Sequence, residues 1–330
     1  MPNPRKPRRG SMAVWPRKRA SRSYPKIRGW SEQKFEKASL LGFMGYKAGM
    51  THIMGIDTKK TSMTKNEEIF MPVTIIECPP MRLFAARFYK TNAYGCRVDH
   101  DFFFKPSKDL QRKISIPSNI PNISDLDKNN PDDYSDIAVL AYTQPALTGF
   151  GKKRPEIIEL RLCGSNKEKL EFIKNHVDKE ISVEQIFKEA QQVDVRAVTK
   201  GKGVQGPVKR FGIALKPHKT EKGRRQPGCR SGWYGWLHMM YRTAYAGQTG
   251  YHQRVQYNNQ IVKISSKPEE VNPKDGFIHY GTVRTTYLLI KGSVPGPKKR
   301  AVVMTQPLRQ MKEEPLLTIT HISTQSKQGR

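Results

Sequence analysis

The sequence of 330 residues predicts a mainly β protein with an α+β insertion and long basic extensions. Three observations lead to this class. Short apolar or alternating runs recur along most of the chain, which is typical of strands. Two helix-capping signatures lie close together in the middle of the chain and predict two short helices there. Basic segments rich in proline and glycine show neither period, so we expect them to extend from the folded part.

The strands are predicted from runs bounded by turn residues. In chain order these runs are 73–77, 137–143, 156–162, 193–199, 260–265, 281–291, 300–305 and 316–323. The segment LGFMGYKAGMT (41–51) superficially resembles a phosphate-binding loop, but no glycine immediately precedes Lys47. Its glycines, Gly42, Gly45 and Gly49, are instead expected to be strand and turn glycines of a curved sheet.

The two predicted helices follow capping boxes, Ser165 to Glu168 and Ser182 to Gln185. After each box, apolar residues recur at helical spacing. Both helices fall within 119–190, which holds 13 acidic and ten basic residues. We therefore expect this insertion to face protein or solvent.

The rest of the charge is strongly positive and unevenly distributed. The chain has 59 Lys and Arg against 29 Asp and Glu, a net charge of +30, which indicates a polyanionic partner. Residues 1–37 hold 12 basic and two acidic residues, and 200–230 hold ten basic and one acidic. Residues 284–312 hold seven basic and none acidic. Two or three basic segments thus interrupt an otherwise ordinary globular sequence.

Several classes of protein are disfavoured. No run approaches the ~18 apolar residues that span a bilayer, and no apolar segment follows the basic N-terminus as a secretory signal requires. The four cysteines lack C-x-x-C spacing and predict neither a disulfide framework nor a zinc site. No H-E-x-x-H, G-x-S-x-G or Cys–His combination indicates catalysis. We expect a reduced, intracellular protein that is not an enzyme.

Two segments are predicted to contact RNA. The sequence GKGVQG (201–206) matches G-x-G-x-x-G, but a dinucleotide site needs a following helix, and 207–212 shows no helical period. A tight glycine turn that brings backbone N–H groups and lysines close to RNA phosphates fits better. The stretch 216–254 mixes aromatic residues with arginine and glycine, which favours a long loop inserted into folded RNA, with bases stacked on its rings.

Four segments resemble the universal large-subunit ribosomal protein L3 family. They are LLGFMGYKAGMT (40–51), TKGKGVQGPVKRFG (199–212), GQTGYHQRVQYNNQIVKI (247–264) and GFIHYGTVRTTYLLIKGSVPGPKKRAVV (276–303). The long basic N-terminus and the helical insertion resemble the archaeal and eukaryotic branch of that family.

The resemblance implies a closed β-barrel of the translation-protein type. It also implies a structural constituent of the large ribosomal subunit in the cytoplasm, which binds large-subunit rRNA, nucleates early assembly and supports the peptidyl transferase centre through its central loop. Trp233 best matches the family's loop-tip tryptophan, and Trp236 competes with it because the stretch WYGW departs from the usual pattern. The expected partners are rRNA and neighbouring large-subunit proteins, with no membrane and no small-molecule substrate. No cofactor or protein-bound metal is expected, and structural Mg²⁺ ions would belong to the rRNA.

The chain is accordingly divided into six segments. They are the basic RNA-binding extension 1–37, the first part of the barrel 38–100, the α/β insertion 101–191, a barrel strand with the glycine-rich basic turn 192–215, the central RNA-penetrating loop 216–254, and the closing strands 255–330. The candidate rRNA contacts are Arg5, Lys6, Arg8, Arg9, Trp15, Arg17, Lys18, Arg19, Arg22, Lys26, Arg28, Lys200, Lys202, Lys209, Arg210, Lys216, His218, Lys219, Lys222, Arg224, Arg225, Arg230, Arg242, Tyr251, His252, Arg254, Lys298, Lys299 and Arg300.

Two alternative functions remain beside this one. An RNA-modifying enzyme would need a cofactor pocket, for which the glycine motif is the one candidate. A chromatin-type DNA-binding protein is disfavoured because duplex DNA offers no splayed bases to aromatic residues, and no basic recognition helix is evident.

Overall fold

The computed structural model describes residues 9–31, 38–116, 120–226, 243–309, 315 and 317–326. Its strands are β1 Gly42–Ile56, β2 Glu68–Glu77, β3 Met81–Asn92, β4 Gly95–Phe103, β5 Asp136–Thr143, β6 Ile157–Arg161, β7 Gln192–Val198, β8 Val204–Gln205, β9 Gly247–Gln248, β10 Gln253–Ser265, β11 Tyr287–Lys291, β12 Ala301–Thr305 and β13 Thr318–Ile322. Its α-helices are α1 Asn166–His176 and α2 Pro207–Phe211. Short 3-10 turns lie at Lys108–Arg112, Ile123–Lys128, Pro131–Asp133, Pro145–Leu147, Val183–Gln185 and Pro268–Glu270. The mainly β prediction is confirmed.

The chain forms two compact units. We call residues 1–22 with 198–253 the arm–loop unit, and residues 23–197 with 254–330 the main unit. None of the helices within the described residues combines the length and the hydropathy that a membrane crossing needs. Among the described residues, Cys78, Cys96 and Cys163 form no disulfide.

Six strands of the first sheet form a closed ring of pairings. The order is β12-β7-β10-β11-β2-β1, and β1 returns to pair with β12. The 15-residue β1 makes this possible because its first part, from Gly42 to Tyr46, pairs with β12 while its later part pairs with β2 and β13. The predicted strands that contribute to this ring coincide with β2, β7, β10, β11 and β12, although β11 is shorter than the predicted run 281–291.

The core of the main unit fills with apolar side chains from these strands, including the fully buried Phe43 and Tyr287. Gly45 shows how closely β1 approaches β2. A Cβ atom there would lie 2.6 Å from Ile76 Cγ2 and 2.8 Å from the Glu77 carbonyl oxygen, so a side chain would separate the strands. The expectation that Gly45 is a strand glycine is confirmed, and the close approach of the strands is the reason that the position requires glycine.

A second sheet, in the order β4-β3-β5-β6, carries the helical insertion. This sheet begins at Met81, and its strand β4 spans residue 101, where the insertion had been predicted to begin. Helix α1 begins as predicted: Ser165 Oγ accepts from the Glu168 N–H, and the Glu168 carboxylate accepts from the Ser165 N–H. The charged groups of this sheet pair with one another, as Arg87 does with Asp101 and Glu159.

The second predicted helix is wrong, because Val183–Gln185 forms a single 3-10 turn. Just before it, Ile181 and Met81 exchange two backbone hydrogen bonds of 2.8 and 3.0 Å, which fixes the chain in a bridge. Val183 and Phe187 are then buried in the core. Tertiary packing has overridden the local capping signal.

A buried carboxylate organises the closing segment of the main unit. Glu77 is fully buried at the end of β2 and accepts hydrogen bonds from the Arg284 N–H at 2.7 Å and the Thr285 N–H at 3.0 Å. It also accepts from the Thr285 hydroxyl at 3.2 Å and from the Tyr280 hydroxyl. A buried charge is tolerated when several donors replace its hydration, so Glu77 fixes the path of the chain from 280 to 285.

Buried phenols predict a loss of stability at alkaline pH. Burial is the main cause that raises the pKa values of Tyr46, Tyr280 and Tyr287, and nearby carboxylates raise them further. The folded chain therefore retains protons that the unfolded chain releases above about pH 10, and the free energy of unfolding falls as the pH rises. We expect a lower urea midpoint at pH 11 than at pH 9.

Lysines also titrate in this range, so a matched variant isolates one phenol. Tyr46→Phe is expected to lose stability less steeply than the unaltered chain, by up to about 1.4 kcal/mol per pH unit above pH 10. The variant lacks the 2.7 Å hydrogen bond between Tyr46 Oη and Thr143 Oγ1 at every pH. This loss lowers its free energy of unfolding by the same amount at pH 9 and at pH 11, so it does not change the pH dependence. Identical pH dependence in the two chains would contradict a raised pKa for Tyr46.

Candidate nucleic-acid interface

The arm–loop unit carries a disproportionate share of the positive charge. Its residues include 19 Lys and Arg against a single acid, Glu221, so it holds +18 of the chain's net charge of +30. Mutual repulsion of these cations disfavours a compact unit, unless other contacts offset it or a polyanion neutralises it.

A two-stranded ribbon forms the base of this unit. The glycine-rich segment 199–206 runs antiparallel to 247–252, with Val204 opposite Gln248 in β8 and β9. Four further backbone hydrogen bonds of 2.8–3.2 Å extend the ribbon: Thr199 N to His252 O, Tyr251 N to Lys200 O, Lys202 N to Thr249 O, and Thr249 N to Gly203 O. Gly250 has φ +70°, and its α-carbon faces the Lys200 carbonyl so closely that a Cβ would collide with it. Glycine is therefore required there.

The ribbon sends its lysine side chains outward. Lys200 and Lys202 of the ribbon are exposed, and so is Lys209 of the following helix α2, as point charges for phosphates should be. The glycine turn was predicted to bring its backbone N–H groups close to RNA phosphates. The N–H of Lys202 instead donates to the Thr249 carbonyl within the ribbon. At this position the lysine side chain, and not the backbone N–H, is presented to solvent.

The ribbon also holds the basic arm. The Ala20 N–H donates to the Tyr251 carbonyl at 2.8 Å, and His252 Nδ1 lies 2.9 Å from the Lys18 carbonyl oxygen. A guanidinium N–H of Arg17 donates to the Arg210 carbonyl at 3.1 Å. Residues 17–20 are thus fixed on the ribbon by contacts spread along their length.

An aromatic cluster reinforces this attachment. The ring of Trp15 stacks on that of Phe211 with centroids 5.9 Å apart, and the Arg17 guanidinium lies 4.4 Å from the Phe211 centroid. Phe211 belongs to α2, which Pro207 begins at its first position and Gly212 ends with φ +64°. The prediction that no helix follows the glycine motif is wrong, although α2 spans only five residues.

Arg210 also acts within the protein. Its Nε donates to the Gln248 carbonyl at 3.0 Å, and its two terminal nitrogens donate to the carbonyls of Tyr245 at 3.0 Å and Arg17 at 3.4 Å. Burial, followed by the nearby Arg17 charge, lowers the pKa of Arg210. Arg210, a residue of α2, therefore connects the basic arm at Arg17 to the base of the central loop at residues 245–248.

The later part of the basic extension belongs to the main unit. Tyr24, Ile27 and Trp30 pack against its core, and the buried Arg196 donates to the Gly29 carbonyl at 2.9 Å. Arg196 has its pKa lowered mainly by burial. Tyr24 and Trp30 of the basic extension thus contribute to the folding of the main unit.

A second basic element of the main unit is the turn 292–300. The buried Lys47 donates from Nζ to the carbonyls of Val294 at 2.5 Å and Gly296 at 3.3 Å. The backbone of Lys47 also pairs with the end of the turn: the Lys299 N–H donates to the Lys47 carbonyl at 2.9 Å, and the Lys47 N–H donates to the Arg300 carbonyl at 3.1 Å. Burial and the neighbouring Lys298 lower the pKa of Lys47. Lys47 shapes the turn that presents Lys298, Lys299 and Arg300.

Comparison with known proteins identifies the family of the chain. The family model of ribosomal protein L3 matches residues 1–329. The chain belongs to the ribosomal protein L3 family. The L3 resemblance of the four sequence segments is thereby confirmed, and the chain is a ribosomal protein, located with the ribosome in the cytoplasm.

Three L3 relatives illustrate the extent of the similarity, each named large ribosomal subunit protein uL3. The protein of Archaeoglobus fulgidus is 43% identical over 330 residues, which cover 98% of this chain and 99% of the relative. That of Methanosphaera stadtmanae is 41% identical, with 98% of both chains covered. That of Methanocaldococcus jannaschii is 39% identical, with 99% of both covered.

The predicted contact residues of this L3 family member fall into three groups. Those exposed are Arg9, Lys18, Arg19, Arg22, Lys26, Arg28, Lys200, Lys202, Lys209, His218, Lys219, Lys222, Arg225 and Lys299. Those partly or fully buried are Trp15, Arg17, Arg210, Lys216, Arg224, Tyr251, His252, Arg254, Lys298 and Arg300. Arg5, Lys6, Arg8, Arg230, Arg242, Trp233 and Trp236 lie outside the described residues.

Two organising residues of the site had not been predicted. Lys47 had been assigned to a structural glycine segment, and Phe211 had no role. The proline and glycine that bracket Phe211 at helix-start and helix-end positions were the available signal. Across the part of the chain that the structure describes, no group of three or more His, Cys, Asp and Glu is placed to hold a metal ion.

Proposed function

We propose that this L3 family member is a structural constituent of the large ribosomal subunit that binds large-subunit rRNA mainly through its arm–loop unit. The observation that carries the proposal is the ribbon with its docked arm: a folded base that directs exposed lysines outward within a unit of net charge +18. The names of the relatives support the placement in the large subunit.

The geometry suggests how such a unit would act on RNA. Exposed lysines neutralise phosphates and release counterions, which supplies affinity independent of sequence. Neutralising closely spaced phosphates lowers the repulsion between rRNA helices that must converge, which is the physical basis for nucleating early assembly. The internal contacts of Arg17 and Arg210 reduce the conformational entropy that binding would otherwise cost.

The remaining parts of the proposal follow the family. The ring of six paired strands supports a closed β-barrel of the translation-protein type. The central loop 216–254 would support the peptidyl transferase centre, with Trp233 or Trp236 at its tip. In this role the protein is not an enzyme and needs no cofactor, and any Mg²⁺ ions would be held by the rRNA.

The test measures how affinity for large-subunit rRNA depends on salt. Replacing Lys200, Lys202 and Lys209 together by alanine removes three exposed charges. If each meets a phosphate, the slope of log K against log salt becomes shallower by about two to three. Binding of the full chain to transcribed large-subunit rRNA, titrated from about 0.1 to 0.5 M salt, gives this slope.

A matched control removes the same charge elsewhere. Lys167, Lys174 and Lys179 are exposed on and beside α1, in the region where acidic residues are in excess. Their triple alanine variant is expected to leave the slope unchanged. Equal slopes for the two triple variants would contradict the ribbon as the RNA contact, and equal affinity for duplex DNA and rRNA at about 0.2 M salt would favour DNA binding instead.

A further inference from the structure

One sheet face of the main unit presents exposed apolar side chains among the residues that the structure describes. On β1, Met50 and Met54 are each 39% exposed, and on the neighbouring β2 Phe70 is 64% exposed. Met54 stands opposite Phe70 in the β1–β2 pairing, and the rings of His52 and Phe70 lie 4.7 Å apart. We call these four residues the Met–Phe face.

The strands beneath this face lack the charge that marks the rest of the protein. No Lys or Arg occurs from Ala48 to the end of β1, in the whole of β2, or in β13, although the chain contains 59 of them. The exposed acid of these strands, Glu68, accepts a 2.5 Å hydrogen bond from the Thr320 hydroxyl of β13. The face therefore offers almost nothing to a phosphate.

The composition matches the centre of a protein interface. Such centres are enriched in Phe and Met and depleted of Lys and Glu, whereas RNA-binding surfaces need cations. Contiguous exposed apolar patches on folded proteins mark interaction sites. The face also remains open to one side, because among the described residues β13 pairs only with β1 and forms the edge of the sheet.

The surrounding residues set the limits of the face. At one end, Met50 lines a small cavity together with Lys298 of the basic turn. At the other end, the β1–β2 hairpin carries Lys59, Lys60 and Lys65 together with the acids Asp57 and Glu67. An apolar strip without lysine or arginine therefore lies between the basic turn and a hairpin of mixed charge.

We propose that the Met–Phe face binds an apolar, uncharged segment of a neighbouring large-subunit protein, while basic segments of the chain contact rRNA. The proposal rests on the proposed place of the chain in the large subunit. Beyond that function, it states the chemistry of a protein partner and assigns the contact to strands β1 and β2.

The first test places a benzophenone-bearing amino acid at position 70 of the full chain, which is then assembled into large subunits and irradiated. We expect an adduct that resists ribonuclease and is destroyed by protease. A ribonuclease-sensitive adduct, or none, would overturn the proposal. The same photoreactive residue at position 202 should give an RNA adduct, which checks the photochemistry and, separately, the proposed rRNA binding.

Opposite charges at one position provide a second test. Phe70→Lys and Phe70→Glu are each competed against tagged unaltered chain for incorporation into large subunits in the same cells. A protein contact predicts that both fall at least about tenfold, because either charge would be buried against apolar groups. Loss confined to Phe70→Glu would indicate RNA, and no loss would indicate solvent; either result overturns the proposal.

Two controls separate misfolding from lost contact. Phe70 is largely exposed in the free chain, so both variants should keep the unaltered thermal midpoint. Met63, fully exposed in the β1–β2 hairpin, receives the same two substitutions and is expected to leave incorporation unchanged. If the unaltered chain itself fails to sediment with large subunits, the proposed function fails, and the Met–Phe face is not at issue.

Discussion

Replacing Glu77 by alanine is expected to lower the free energy of unfolding by about 3–5 kcal/mol. The carboxylate is fully buried and accepts from two backbone N–H groups and two hydroxyls in the segment 280–285. Alanine would leave the partly buried N–H groups of Arg284 and Thr285 and the buried hydroxyl of Tyr280 without their acceptor. Each orphaned buried donor costs about 1–3 kcal/mol, less whatever the segment recovers by relaxing toward water.

The conservative variant and a surface control make the measurement specific. Glu77→Gln keeps the shape and one acceptor oxygen, so we expect a loss of about 1–2 kcal/mol. Glu67→Ala, at an exposed position in the preceding hairpin, should change the value by less than about 0.5 kcal/mol. Urea unfolding gives the change in the free energy of unfolding for each of the three variants, provided that the dependence of that free energy on urea concentration is the same as in the unaltered chain. A Glu77→Ala chain as stable as Glu67→Ala would show that these hydrogen bonds are not needed.

The strands that had been predicted share a visible sequence pattern, which β4, one of the missed strands, lacks. Val73–Glu77 and Ile137–Thr143 are short apolar runs bounded by turn residues, and both are strands. Among the missed strands, β4 is mostly polar and exposed, and its Asp101 pairs with Arg87 of β3. A strand stabilised by cross-strand ion pairs has no apolar alternation to recognise.

The candidate site was predictable in its charge but not in the direction of its side chains. Composition located the basic segments, and Lys200 and Lys202 are indeed exposed. Sequence could not distinguish them from Arg210, whose nitrogens all reach backbone carbonyls, or from the buried His252. Whether a cation meets solvent or a carbonyl depends on where distant segments fold, and the arm and the loop base are about 190 residues apart.

The same contacts attach to the ribbon and α2 a part of the basic extension that the sequence predicted to extend from the folded part. Phe211→Ala is expected to release the arm in the free chain, because it removes the surface on which Trp15 and Arg17 lie. A buried Phe→Ala change costs about 3–5 kcal/mol, so the population with an undocked arm should rise at least about 100-fold. The Ala20 N–H, bonded to the Tyr251 carbonyl, reports docking through its hydrogen-exchange rate.

A charge-conserving substitution separates docking from simple electrostatics. Arg17→Lys keeps the cation but loses the planar group that lies over Phe211 and donates to the Arg210 carbonyl, so protection of Ala20 should fall about tenfold. Arg9→Lys, at an exposed position, should leave the exchange rate of the Ala20 N–H unchanged. The Thr249 N–H inside the ribbon should stay protected from exchange in both lysine variants. If Ala20 exchanges at the unprotected rate in the unaltered free chain, the arm docks only with RNA. An arm that is protected and then released by Arg17→Lys would show that shape, and not charge alone, orders it before RNA arrives.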